Sequence, residues 1–271
     1  MRTAYLGGDD PAIAVVGGIH GDEPCGVRAV ETILSESPDF ERPVVFVVVN
    51  ERALESGTRY IDEDLNRAFP GDANGDTHES RLAARLQDVI GDCLTLSMHS
   101  TQSYDGPFAL VNGVTENISA PLEALTVDAV VDVGEHSKGR LFDAVPDAME
   151  VECGLQGSEE AAERATALTR EFLVATGALS PDSESAPERT ESPETAETPL
   201  FRLDRKIPKT EARQYEVYAS NFEEVPAGEP YAAAGEEPIV AEDSFYPVLL
   251  SSNGYENVFG YSAERLGTGS K

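Results

Sequence analysis

"AIAVVGGIHGDEPCGVRAVETILSE" (residues 12–36) is the stretch that decides the fold. Its apolar run over 12–18 reads as a strand and ends in two glycines. From residue 24 onward Val27, Val30, Ile33 and Leu34 recur at helical spacing, so a helix over 24–36 is expected. Strand, glycine-rich loop and helix in succession form the repeating unit of an α/β sheet. The loop carries His20 and Glu23, an imidazole and a carboxylate three positions apart, among Gly17, Gly18, Gly21 and Gly26. In open α/β sheets, functional groups gather at the carboxyl ends of strands, where this loop falls.

The pattern continues downstream. "PVVFVVVN" (43–50) is too uniformly apolar to have a solvated face, as a parallel strand covered on both sides would be. After a polar stretch over 51–76, a helix is expected over 77–90, with Asp76 as its N-cap, Glu79 three residues on, and Leu82, Leu86, Val89 and Ile90 as its apolar stripe. "CLTLSMHS" (93–100) and "AMEVECG" (148–154) read as further strands, 127–134 as a strand or a helix, and 158–176 as a helix that turns Ala161, Ala165, Leu168, Phe172 and Leu173 inward. The predicted fold class is therefore α/β, a mixed, mostly parallel sheet flanked by helices over residues 1–179. Residues 180–199 carry four prolines and no apolar side chain larger than alanine, the composition of an exposed acidic linker. Short runs broken by Pro-Ala-Gly and Gly-Glu signals predict a small β-rich domain over 200–271.

Composition narrows the function classes. Fifty acidic against 20 basic residues give a formal charge of −30, which opposes binding to nucleic acid or to an anionic membrane. With 40% hydrophobic residues the chain still has material for an ordinary core under an acidic shell. Only Lys138, Lys206, Lys209 and Lys271 are lysines; such a surface suits a halophilic source, where salt screens self-repulsion. Cys25, Cys93 and Cys153 form no CxxC pair and point to neither a disulfide framework nor a thiolate zinc site. The start "MRTAYLGGDD" lacks an apolar h-region and no run approaches 18 apolar residues, so a cytoplasmic protein is expected. The pattern sets no oligomeric state.

His99, at the end of the third predicted strand, joins His20 and Glu23 at the same edge of the sheet. Two histidines and a carboxylate suit a catalytic zinc ion, because three protein ligands leave a position for water or substrate. The other two histidines, His78 and His136, read as surface residues.

The ordered set "GGIHGDEPCG", "RYIDEDLNRAFPG", "LSMHS" and "VECG" resembles the zinc carboxypeptidase superfamily, and within it the succinylglutamate desuccinylases and aspartoacylases. The resemblance spans residues 12–160 and continues more loosely beyond. It implies one Zn²⁺ bound by His20, Glu23 and His99, with Glu152 as the general base that takes a proton from the attacking water. Arg59 matches the position that stabilises the oxyanion with zinc, and Asn66 and Arg67 match the pair that holds a substrate carboxylate. Tyr255, in "YPVLLSSNGYE" (246–256), matches a substrate-contacting tyrosine. Aspartoacylases also read a second substrate carboxylate with an arginine shortly before the base; Phe142 occupies that place here, and Arg140 is the nearest basic group. The implied reaction is hydrolysis of a small N-acyl amino acid. A zinc carboxypeptidase acting on peptide C-termini, and a binding module that has lost catalysis, are the alternatives.

Overall fold

The computed structural model describes residues 1–187 and 198–268. The elements are β1 (Arg2–Leu6), β2 (Ile13–Gly17), α1 (Cys25–Glu36), β3 (Val44–Val48), α2 (Glu51–Ser56), α3 (His78–Ile90), β4 (Leu94–Thr101), β5 (Phe108–Val111), α4 (Glu116–Ala124), β6 (Ala129–Asp132), β7 (Ala148–Leu155) and α5 (Glu159–Ala175). The C-terminal part adds β8 (Pro199–Pro208), β9 (Tyr215–Val217), β10 (Pro230–Ala234), β11 (Glu237–Val240), β12 (Tyr246–Val248) and β13 (Val258–Thr268).

Among the described residues, ten strands form one sheet in the order β1-β3-β2-β4-β7-β5-β6-β8-β13-β12. The centre of the sheet, β3-β2-β4-β7, is parallel, β5 runs antiparallel to β7, and β1 closes one edge antiparallel to β3. Every residue of β2 and β3 is buried, as the unbroken apolar runs require of strands covered on both faces. α1 and α5 pack together over one face with α4 beside them, around Ile33, Phe46, Leu96 and Phe172. The other face is covered by α3 and the turns around Leu65 and Leu141. This is the mixed, mostly parallel α/β sheet that the periodicity predicts.

The C-terminal residues divide between two sheets. β8 pairs parallel with β6, and β13 and β12 follow antiparallel, so the central sheet runs on past residue 199. β9, β10 and β11 form a separate antiparallel sheet with a core that includes Tyr231, Leu250 and Phe259. Of the acidic linker expected over 180–199, residues 188–197 lie outside the described residues.

Three differences from the sequence reading are local. Thr77, not Asp76, caps α3: the helix starts one residue later, and the Thr77 hydroxyl accepts from the Ser80 N–H at 3.1 Å. Glu79 then falls at the second helical position, faces inward and is fully buried. β1, β5, α2 and α4 were not foreseen; α4 is short and contains Pro121, and β5 has only four residues. The ambiguous segment 127–134 contains strand β6.

Two close approaches explain the glycines around His20. A Cβ on Gly17 would lie 2.5 Å from the carbonyl carbon of Gly26, where α1 meets the end of β2. One on Gly21 would lie 2.1 Å from the carbonyl carbon of Ala53. The loop is thereby pressed against α2, and its Gly21 N–H donates to the Arg59 carbonyl in the segment that follows at 3.1 Å.

Candidate active site

Sheet order brings the expected ligands together. β2 is flanked by β4, so the loop after β2 and the end of β4 are neighbours, and His20, Glu23 and His99 converge there, all buried. One ligand atom from each lies within 4.8 Å of the others. His99 Nδ1 is 3.0 Å from Glu23 Oε2, and His20 Nδ1 is 2.9 Å from Glu23 Oε1. The second approach lacks hydrogen-bond geometry and leaves His20 Nδ1 buried without a partner.

The far side of each ring is held. His20 Nε2 lies 3.0 Å from Asp64 Oδ1, and His99 Nε2 lies 3.2 Å from Ser97 Oγ. An ionised carboxylate only accepts, so His20 Nε2 carries a proton and Nδ1 is the nitrogen turned to the cluster. Burial works to lower the His20 pKa, but the Glu23 and Asp64 carboxylates outweigh it and the net shift is upward. Burial likewise opposes ionisation of Glu23, yet the two imidazoles hold its carboxyl well below the usual range. This buried, anionic pocket therefore attracts positive charge, and an orphaned imidazole nitrogen beside a carboxylate suits a divalent cation. Two nitrogens and one carboxylate oxygen are the donor set of a catalytic zinc, and the outer partners Asp64 and Ser97 orient the rings as metal-binding histidines require.

Glu152 stands directly opposite His99 in the parallel β4-β7 register. Its Oε2 is buried and has no hydrogen-bond partner among the described residues. Burial, followed by the Glu23 charge, pushes its carboxyl up to about 8. Two residues earlier on the same face of β7, Glu150 is fully engaged: Arg140 Nη2 donates to it at 2.8 Å and Asn66 Nδ2 at 2.9 Å.

Arg59 reaches the cluster from the segment after α2. Its Nη1 donates to Glu23 Oε1 at 2.7 Å, and its Nε lies 3.4 Å from Asp64 Oδ2. That segment is anchored by Glu79, whose carboxylate accepts from the N–H groups of Ile61, Asp62 and Glu63 and from Asn50 Nδ2. Those donors outweigh burial and lower the Glu79 pKa. Glu23, Arg59, Glu152 and Tyr255 line one small cavity, walled on its other sides by Ser100–Ser103 and by Leu249, Ser251 and Gly254. Tyr255 is half-buried, and burial raises its hydroxyl pKa, so it stays protonated.

Asn66 and Arg67 are not on that wall. The Asn66 amide is used on both sides, its Nδ2 by Glu150 and its Oδ1 by the Leu141 N–H at 2.9 Å. Arg67 is exposed, with its guanidinium on the Asn66 carbonyl, near enough for its charge to act on Asp64 and Tyr255. Arg140 is buried against Glu150. His136 and His78, expected at the surface, are both half-buried, His136 on the Asp204 carbonyl and His78 on Asn50. Asp64, Ser97, Glu79 and Glu150 went unrecognised in the sequence, where Asp64 reads as a turn former and Glu79 as a capping residue. The clearest available signal was Asp64 itself, inside "DLNR". The three cysteines are buried and free.

Fold and donor set define the class, an α/β protein with a candidate His-Glu-His metal site at the ends of its central strands. The fold is shared with the crystal structure of a succinylglutamate desuccinylase/aspartoacylase from Rhodobacter sphaeroides, with a TM-score of 0.75 over 97% of this chain and 88% of that one at 21% identity. Residues 9–168 match the family described as Succinylglutamate desuccinylase/Aspartoacylase catalytic domain, and the chain belongs to that family. An N-acyl-aromatic-L-amino acid amidohydrolase (carboxylate-forming) of Rattus norvegicus is 32% identical over 121 residues, 39% of this chain and 38% of that protein. A probable aspartoacylase of Prochlorococcus marinus is 37% identical over 114 residues, 37% of this chain and 38% of that protein. The matched stretch thus spans under two fifths of the length of these curated relatives. Among the described residues, no helix is long and apolar enough to cross a membrane.

Proposed function

We propose that the chain hydrolyses the amide bond of a small N-acyl amino acid, releasing a carboxylate and a free amino acid, with one zinc ion held by His20, Glu23 and His99. The observation that carries this reading is the orphaned Oε2 of Glu152, buried on the cavity wall opposite His99. Zinc, when bound, polarises the scissile carbonyl and acidifies water.

The remaining chemistry belongs to the chain. Glu152 takes a proton from the attacking water and returns it to the leaving nitrogen; its Oε2 has no other hydrogen-bond partner to compete for that proton. Arg59 offers its guanidinium N–H groups to the developing oxyanion. Arg67 pairs with the amino-acid carboxylate, and Asn66 braces the turn that carries it. Tyr255 donates its phenolic proton to the bound substrate. The C-terminal residues that close the cavity, Leu249, Ser251, Gly254 and Tyr255, favour a small substrate over a peptide. The charge of −30 and the scarcity of lysine support a halophilic source and a place in its cytoplasm.

The test is release of free amine from N-acetyl-aspartate, N-succinyl-glutamate, N-acetyl-lysine and a dipeptide series, in high salt with and without zinc. Zinc-dependent turnover of an acylated amino acid is the expected result; turnover of the dipeptides alone overturns the reading in favour of a carboxypeptidase.

A further inference from the structure

The catalytic cavity has a volume of only about 40 Å³, whereas sites for small organic ligands run to about 300–1,000 Å³. It adjoins a groove of about 710 Å³, with which it shares the lining residues Gln102, Ser103 and Ser251. For a substrate whose amide reaches Glu152 and whose distal part exceeds the cavity, this groove is the adjoining space.

The groove has a consistent chemistry. Its apolar wall is formed by Leu155, Val217, Phe222 and Leu250. Leu155 lies three residues beyond Glu152 at the end of β7 and is 43% exposed, so its side chain is open to the groove. Phe222 is held at φ 68° and its ring packs on Tyr104, Phe108 and Phe201, so this wall is firm. The charged side chains on the groove are Asp105 and Glu223, neither in an ion pair among the described residues. No lysine or arginine lines it. Of the guanidinium groups outside its lining, Arg140 is paired with Glu150 and Arg164 is held on the Asp105 carbonyl.

We infer that the groove is the subsite for the distal part of the substrate, and that it selects N-acyl amino acids whose distal part has an apolar body and a neutral or cationic end, against those carrying a second carboxylate. The inference rests on the deacylase reading above. A second carboxylate would meet two like charges and no cation on the groove wall, with the field of the whole chain opposed to it.

The test compares kcat/KM of the zinc-loaded full chain on N-acetyl-lysine and N-acetyl-phenylalanine with that on N-acetyl-aspartate and N-acetyl-glutamate, at the lowest KCl that keeps the chain folded. At least a tenfold preference for the first pair is expected. Leu155→Arg should reduce that preference several-fold, mainly through KM, and raise turnover of N-acetyl-glutamate. Glu223→Arg, at an exposed rim position, should act in the same direction and covers the case in which the first variant does not fold. A wild-type preference for the dicarboxylates overturns this inference alone, as do unchanged ratios in the folded variants. Failure to hydrolyse any acylated amino acid overturns the deacylase reading, and this inference with it.

Discussion

Asp64 Oδ1 lies 3.0 Å from His20 Nε2, on the side of the ring away from Glu23, and the same oxygen accepts the Asn66 N–H at 2.9 Å. One carboxylate thus fixes both the proton position on His20 and the start of the turn that carries Arg67. Asp64→Asn keeps the shape and an acceptor for the Asn66 N–H but removes the charge that orients the imidazole. Loss of such an outer partner typically costs about 10–100-fold in metal affinity. Zinc titration against a competing chelator should show a loss of that size with an intact fold; an unchanged zinc Kd would remove Asp64 from the site.

Glu152→Gln separates chemistry from metal binding. Glu152 makes no hydrogen bond to His20, Glu23 or His99, so the variant should bind zinc as the wild type does. A general base contributes about 10²–10⁴-fold, and kcat should fall by that amount. Near-wild-type turnover in a zinc-replete variant would mean that another group takes the proton.

The same carboxyl makes the stability of the metal-free protein depend on pH. Its pKa is 4.5 in an ordinary setting and about 8 in the folded chain, raised by burial and by Glu23. Between those values the folded state binds more protons than the unfolded state, so this group's contribution to stability falls as pH rises. Melting curves of metal-free wild type and Glu152→Gln, taken from pH 5 to pH 8, should therefore diverge, with the wild type losing more Tm toward pH 8. Parallel curves would show that Glu152 ionises as an ordinary carboxylate.

The parts of this molecule legible in sequence are those set by short-range periodicity. The run 12–36 switches from an unbroken apolar strand to helical spacing at the glycines, which places His20 and Glu23 at a strand end, and the apolar run 93–100 does the same for His99. The partners that make these groups work are distant in the chain. Glu150 meets Asn66 across 84 positions and Asp64 meets His20 across 44, and no periodicity reports such pairs. Glu79 shows the same difficulty at a helix start, because a one-residue shift of the cap to Thr77 turns a surface capping residue into a buried anchor. The division of the C-terminal strands between two sheets was hidden for a further reason: strand signals name a strand but not its neighbour, and β8 pairs with β6 across the 188–197 segment.

Glu79→Ala tests the anchor. It strips the acceptor from the part-buried N–H groups of Ile61, Asp62 and Glu63 and from buried Asn50, where a donor left unpaired costs up to about 1–3 kcal/mol. Water entering the space would recover part of this, so a net loss of about 2–4 kcal/mol is expected. The freed segment carries Arg59 and Asp64, so kcat should also fall well below the new Tm, while Glu79→Gln, which retains one acceptor oxygen, should recover part of both. A Glu79→Ala protein that melts like the wild type would show that the segment is held by other contacts.

Salt should act on the whole chain. A net charge of −30 places many carboxylates within reach of one another, and their repulsion opposes the compact state. The Debye length is about 10 Å at 0.1 M and about 3 Å at 1 M, so molar KCl screens this repulsion almost completely. It also screens exposed ion pairs such as Arg28–Glu159, but such pairs are worth at most about 1 kcal/mol each. The repulsive effect dominates, and Tm should rise steeply between dilute buffer and molar KCl, with cooperative folding lost at the low end. A cooperative melt at the same temperature in both would mean that the acidic shell is spaced widely enough to need no screening, and would count against a halophilic source.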